Sequence, residues 1–250
     1  ETIHNVALRV EPGESSEQFK VSGRGELHLA VLIETMRREG YEMAVSRPRV
    51  IYRTIDGVLQ EPFENLTIDV EVSHQGAVME ALGVRGADIL DLQPDGAGRV
   101  RLDYRVPSRG LIGFQSLFRS ITSGTGIMYH VFDSYLTASA KSQPKRANGV
   151  LLSNSTGKAV AFAIFNLQER GRMMLSPGDD IYEGQIVGIH SRDNDLVVNP
   201  MKTKQLSNIR AAGRDDAVLL TPPVRMTLEQ AMEFIEDDEL VEITPEHIRL

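Results

Sequence analysis

The chain contains no cysteine. That excludes a disulfide framework, a thiolate metal site and a cysteine nucleophile. No apolar run approaches the roughly 18–20 residues needed to span a bilayer, and no signal peptide opens the chain, so no membrane role is expected. The six histidines (His4, His28, His74, His130, His190 and His247) show no i, i+4 pairing and no neighbouring carboxylate motif, so no metal site is expected. Serine is plentiful but never stands in a G-x-S-x-G elbow. The one Gly-Lys dipeptide, Gly157-Lys158, has Leu152 where a phosphate loop needs its first glycine, and Ala159 where it needs the Ser or Thr that holds magnesium. This chain is therefore expected to bind neither GTP nor Mg2+. The acidic "EDDEL" of residues 236–240 lacks the alternating oxygen ligands and central glycine of a calcium loop. It reads instead as the tail of an amphipathic helix over 227–240. Thr227 and Gln230 form that helix's capping box, and Leu228, Ala231, Met232 and Ile235 its apolar stripe.

What is present describes a globular chain: 250 residues, 41% hydrophobic and 25% charged, enough for two or three small domains. It opens on Glu1 rather than methionine, with a strand pattern almost at once, and is expected to be a piece of a longer protein. The net charge of −8 hides an asymmetry. Residues 1–140 hold 14 basic and 19 acidic side chains, residues 141–214 hold 11 and 6, and residues 215–250 hold 2 and 10. The balances are −5, +5 and −8, so the basic middle stretch keeps nucleic acid open as a partner.

A first pass along the chain finds strands in "NVALRVEP" and "FKVSG", then the corner "GRGEL" and a helix. Leu29, Leu32, Ile33 and Met36 recur on one face of that helix, Gly40 ends it, and "YEMAVSRPRVIYR" follows as extended chain. Strand, strand, helix, strand is the second part of a split βαββαβ sandwich whose first strand and helix are missing. Residues 63–137 supply the whole pattern, with an Asp95-Gly96 turn between two of its strands. Offset by 85 residues, Arg24 falls on Arg109, Gly25 on Gly110, Leu29 on Phe114, Leu32 on Leu117 and Met36 on Ile121. One supersecondary unit is used twice. Two glycines and an arginine at a helix mouth can cradle an anion or simply turn the chain. In the second copy Gly23 becomes Ser108 and Glu26 becomes Leu111, and a phosphate cradle does not place a carboxylate at its mouth. The corner reads as a turn with a half-solvated arginine.

These stretches carry a resemblance. "GRGELHLAVLIETMRREGYEMAVSRPRVIYR" resembles the third domain of elongation-factor-type translational GTPases, and "PFENLTIDVEVSHQGAVMEALGVRGADI" with "VPSRGLIGFQSLFRSITSGTGIMYHVFDSY" resembles their fifth. "NGVLLSNSTGKAVAFAIFNLQERGRMMLSPGDDIYEGQIVGIHSRDNDLVVN" and "PPVRMTLEQAMEFIEDDELVEITP" are similar to the C-terminal domain peculiar to the BipA/TypA family. The resemblance implies an α+β chain of three domains. Residues 1–57 would form an incomplete ferredoxin-like sandwich, residues 58–140 a complete one, and residues 141–250 a β-rich domain with a late helix. It implies a cytoplasmic, monomeric ribosome-binding factor, active in large-subunit assembly and in stress or cold adaptation, with GTP and Mg2+ held by a domain absent here.

Two stretches bear on RNA. "KAVAFAIF", residues 158–165, partly matches the RNP1 strand of RNA-recognition modules but lacks its leading aromatic, and reads as a buried strand apolar on both faces. "LVVNPMKTKQLSNIRAAGR", residues 196–214, contains no acid. It carries Lys202, Lys204, Arg210 and Arg214 with neutral partners such as Asn208, and Pro200 marks it as a loop. Such a loop suits phosphate contact, with each neutralised phosphate releasing counterions. The resemblance directs it to ribosomal RNA and A-site tRNA. The alternative is a protein-interaction module using the acidic helix 227–240.

Overall fold

The computed structural model describes residues 7–138, 146–203 and 219–250. They form a mixed α+β chain of many short strands and few helices. Strands β1 (Arg9–Pro12) and β2 (Phe19–Ser22) pair as an antiparallel hairpin. Helix α1 (Glu26–Arg38) follows, with Ala30 and Ile33 buried and Leu29, Leu32 and Met36 half-buried. Glu34 pairs with Arg37 and Arg38 at 2.8 and 2.9 Å, three and four residues on, and the two guanidiniums hold its carboxyl down at about 2. Strand β3 (Met43–Ser46) completes the expected strand, strand, helix, strand order.

The complete sandwich follows: β4 (Arg53–Ile55), β5 (Val58–Glu71), α2 (Gln75–Gly83), β6 (Asp88–Pro94), β7 (Arg99–Pro107), α3 (Ser108–Leu111), α4 (Phe114–Ile121) and β8 (Ile127–Thr137). The strands run antiparallel in the order β8, β5, β7, β6, with β4 beside the first residues of β5. This is the strand order of a ferredoxin-like βαββαβ sheet. Strand alternation explains its two faces. Leu66, Ile68 and Val70 of β5 are buried opposite Tyr104, Leu102 and Val100 of β7, while Asn65, Thr67 and Asp69 between them point the other way. Val78 and Leu82 of α2, with Phe114 and Phe118 of α4, cover the apolar face. The Asp95 carboxylate accepts from the Ala97 and Arg99 amides at 2.7 and 2.9 Å, which builds the expected turn.

The remainder holds β9 (Val150–Ser153), β10 (Gly157–Lys158), α5 (Ala161–Leu167), β11 (Gly171–Met173), β12 (Asp180–Ile181), β13 (Ile186–His190), β14 (Leu196–Val198), α6 (Leu228–Phe234), β15 (Leu240–Ile243) and β16 (Ile248–Arg249). A four-stranded sheet runs β11, β13, β9, β14, with β14 parallel to β9 and the other pairs antiparallel. A core of Leu151, Ile164, Met173, Ile181, Val187 and Val198 fills it. The chain gathers into two compact units. One comprises Glu1–Val31, Arg47–Lys145 and Met232–Phe234; the other comprises Leu32–Ser46, Arg146–Ala231 and Ile235–Leu250.

Several expectations are corrected. β3 pairs not with the β1–β2 hairpin but with β15, Met43 opposite Ile243, in the sheet β16, β15, β3. Where the βαββαβ pattern has one helix before its last strand, the chain has two, α3 and α4, because Gly113 takes φ 69, a left-handed conformation that breaks the ladder before α4. Arg109 is buried rather than half-solvated, whereas Arg24 is exposed. The supposed strand at 158–165 is mostly helix α5, where the buried Ala163 and Ile164 and the half-buried Leu167 follow the helical period rather than alternation. Among the described residues after 146 there is therefore an earlier helix, α5, besides the expected late one, α6.

The acidic helix stops at Phe234. Its capping box is present and Leu228, Ala231, Met232 and Ile235 are buried as expected. Ile235 is extended, however, and residues 236–239 form a turn around Arg146. The Glu239 carboxylate accepts both terminal nitrogens of Arg146 at 2.8 and 2.9 Å and also the Glu236 amide at 2.8 Å. Glu236 accepts the Arg146 amide at 3.1 Å. The competing acceptors end the helix.

Candidate nucleic-acid interface

The basic segment is launched from a sheet edge. Leu196, Val197 and Val198 do not belong to a loop, as expected from the sequence, but to β14, lying parallel to Leu151, Leu152 and Ser153. Val198 and Pro200 are buried, and the Val160 amide donates to the Pro200 carbonyl at 3.0 Å. The Asn199 side chain accepts the Met201 amide at 2.9 Å. These contacts fix the chain up to Met201, so Lys202 leaves a rigid base into solvent. Lys202 is exposed; Lys204, Asn208, Arg210 and Arg214 lie outside the described residues. The chain is described again from Leu219, and the Val224 amide donates to the Met173 carbonyl at 2.8 Å.

Other cations of the same compact unit are engaged. Lys158 pairs with Asp180 at 2.9 Å, Arg225 with Asp179 at 3.7 Å, and Arg249 with Glu242 at 3.5 Å. Lys158, the residue that would open an RNP1 strand, therefore faces a carboxylate on β12 rather than a free sheet surface. Among the described residues Lys202 has no acidic partner within 4.0 Å. Among the described residues no group of three or more His, Asp or Glu side chains is placed to hold a metal ion, and no helix is long and apolar enough to cross a membrane.

Sequence reasoning singled out nothing on the other edge of this sheet, where Arg170, Arg172 and Arg192 stand exposed. They come from two separate stretches that only the pairing of β11 with β13 brings together. A pattern of charge along the chain does not reveal them.

Comparison with known proteins now bears on the whole chain. Residues 148–250 match the TypA/BipA C-terminal domain, and residues 58–146 match the elongation factor G C-terminus. "Large ribosomal subunit assembly factor BipA" of Escherichia coli K12 is 62% identical over all 250 residues, that of Haemophilus influenzae 61%, and that of Buchnera aphidicola 54%. The chain spans 41% of the length of each of these relatives. Residues 148–250 are therefore a TypA/BipA-type C-terminal domain behind an elongation factor G-type C-terminal domain, in a chain that is similar over its whole length to a C-terminal part of BipA factors.

Proposed function

We propose that this chain is the ribosome-docking portion of a BipA-type large-subunit assembly factor, and that it contacts large-subunit ribosomal RNA and A-site tRNA through residues 196–214. Lys202, Lys204, Arg210 and Arg214 meet phosphates, and Asn208 hydrogen-bonds beside them. The observation that carries this reading is an acid-free run with four cations, in a chain of net charge −8 whose relatives bear the name of ribosome assembly factors. Lys202, exposed at its base and without an acidic partner among the described residues, supports it, since Lys158, Arg225 and Arg249 of the same unit are paired. The chain itself is proposed to bind no GTP and to be no enzyme. Nucleotide chemistry belongs to the remaining length of such proteins, along with the stress and cold roles. The division at residues 57 and 140, a monomeric state and a cytoplasmic location are part of the same proposal.

The alternative, a protein contact through an acidic helix over 227–240, has less to rest on, because the helix ends at Phe234 and Glu236 and Glu239 are occupied by Arg146. Co-sedimentation with ribosomes at low and moderate salt tests the reading. Phosphate contact predicts a steep loss with salt, and binding indifferent to salt would refute it.

A further inference from the structure

We propose that Arg170, Arg172 and Arg192 form a second phosphate-contact surface for RNA, where β11 and the end of β13 meet. This rests on the reading that the chain meets RNA, but on different residues. Six cations of the same unit are held by carboxylates: Arg37 and Arg38 by Glu34, Arg146 by Glu239, Lys158 by Asp180, Arg225 by Asp179 and Arg249 by Glu242. Arg170, Arg172 and Arg192 are exposed and, among the described residues, have no such partner. Three arginines without an ion-pair partner among the described residues stand together where β11 and the end of β13 meet, with Glu169 and Asp193 as unpaired neighbours.

The scaffold under them is tightly built. The Ser191 amide donates to the Arg170 carbonyl at 2.9 Å, and the Gly149 amide donates to the Arg192 carbonyl at 2.8 Å. The Asn148 side chain donates to the His190 carbonyl at 3.1 Å, and the His190 ring nitrogen Nδ1 meets the Asn194 carbonyl at 2.5 Å. Gly171, between two of the arginines, has no room for a Cβ against the Ile189 carbonyl, so only glycine lets the two strands approach this closely. Strand alternation puts Arg170 and Arg172 on one face, about 6.6 Å apart along the chain direction, while Met173 turns inward to the core. β11 pairs as a strand only with β13 among the described residues; the Val224 amide donates to its Met173 carbonyl at 2.8 Å, and the side chains of Arg170 and Arg172 remain exposed. Three guanidiniums on a fixed base lose less freedom on binding than three on a loose loop. Their planar forks suit the paired oxygens of a phosphodiester.

The surrounding chemistry narrows the partner. Residues 168–173 and 190–195 contain no Phe, Tyr or Trp, and their one imidazole, His190, is buried against the Asn194 carbonyl, so this surface contacts phosphates and does not stack bases. Asp195 turns inward to the Val150 amide at 2.8 Å. Glu169 and Asp193 are exposed beside the arginines without pairing to them, and weaken the local field. The launch point of Lys202 lies on the opposite edge of the same sheet, about 14 Å away across three strand spacings. One sheet thus offers two separate places for an RNA backbone.

The test is RNA binding by the full chain, across about 50 to 200 mM salt, with a labelled mixed-sequence single-stranded RNA and with purified large ribosomal subunits. The triple variant Arg170→Gln, Arg172→Gln, Arg192→Gln should keep its melting temperature and lower the log–log salt slope by about two to three, at roughly 0.7–0.9 per phosphate. Replacing all three by Lys should restore the slope but not the full affinity. Glu169→Gln with Asp193→Asn should tighten binding. A separate variant with Lys202, Lys204, Arg210 and Arg214 changed to Gln reports on the loop alone. If that variant weakens binding while the arginine triple binds like the parent, the present inference is wrong and the loop reading stands. If both bind like the parent, the RNA reading itself fails. A triple variant that keeps its grip on free RNA but loses the subunit would show a ribosomal-protein contact instead, and would overturn this proposal.

Discussion

Arg109 reaches Glu61 through its Nε at 2.5 Å, and both side chains are shielded from solvent, Glu61 completely. The pair joins the first turn of α3 to the start of β5. Arg24, at the equivalent place in the first copy, is exposed. One sequence device therefore does opposite things in its two copies. Removing one member of a buried pair leaves the other charged and unsolvated, so Arg109→Ala or Glu61→Ala should cost about 3–5 kcal/mol. The double change Glu61→Leu with Arg109→Met should recover most of that, since apolar replacement of a buried pair is often neutral. Arg24→Ala should stay within about 0.5 kcal/mol. Urea unfolding of the four variants measures this, and equal losses for Arg24 and Arg109 would count against it.

Glu26 gives the chain a pH dependence near neutrality. Burial, then the charge of Glu233, pushes its carboxyl from 4.5 up to about 7, with Arg47, His130 and Arg85 pulling the other way. A carboxyl raised on folding binds extra protons in the native state. Its stabilising contribution is complete below the unfolded value of 4.5 and is lost as pH rises through about 7, on the order of 3 kcal/mol. His130, raised mainly by its hydrogen bond to Glu64, contributes in the same direction. Melting temperature should therefore fall between about pH 5 and 8 by more in the parent than in Glu26→Gln, which removes one of the two contributions. Identical pH profiles would show that Glu26 does not titrate there.

Arg146 organises the turn that replaces the expected helix tail. With only 12% and 15% of their side chains exposed, Arg146 and Glu239 form a forked pair that is shielded enough to matter. Arg146→Ala should destabilise the protein by about 2–4 kcal/mol, and Arg146→Lys should recover only part, because an ammonium cannot satisfy both carboxylate oxygens at once. Denaturant midpoints for the two variants decide this; full rescue by lysine would show that charge alone suffices.

How much of this was legible follows from which interactions are local. The Thr227–Gln230 capping box, the Asp95 turn and the alternation of Leu66, Ile68 and Val70 depend on neighbours within a few residues, and the sequence displays them. The pairing of β3 with β15 joins residues some 200 positions apart, with no local mark. α5 was misread because "AVAFAIF" is apolar throughout and suits either period; Ala163, Ile164 and Leu167 settle it only once packed. The end of α6 depends on Arg146, nearly 90 residues away. The loop cations are visible because they fall within one short acid-free stretch, residues 202–214. The β11 edge arginines are not, because the sheet collects them from separate stretches.

The loop and the acidic turn can be separated in one panel. Each of Lys202, Lys204, Arg210 and Arg214 is an independent electrostatic contribution if it meets a phosphate. Changing one to Gln should lower the log–log salt slope of ribosome binding by roughly one, with little dependence on base sequence. Melting temperature should move little for Lys202, which is exposed beyond the last fixed residue. Asp237→Asn with Asp238→Asn provides the opposing arm, because both residues are exposed and neither is the carboxylate that grips Arg146. Phosphate contact predicts that this double change leaves ribosome binding unchanged or slightly stronger, through weaker repulsion. A protein contact through the acidic region predicts that it abolishes binding while the four loop variants behave like the parent. The same protein titrated with GTP by calorimetry should show no saturable heat, since Leu152 and Ala159 stand where a phosphate loop needs glycine and a hydroxyl. Micromolar GTP binding would place a nucleotide site in this chain and reopen its assignment as the docking portion alone.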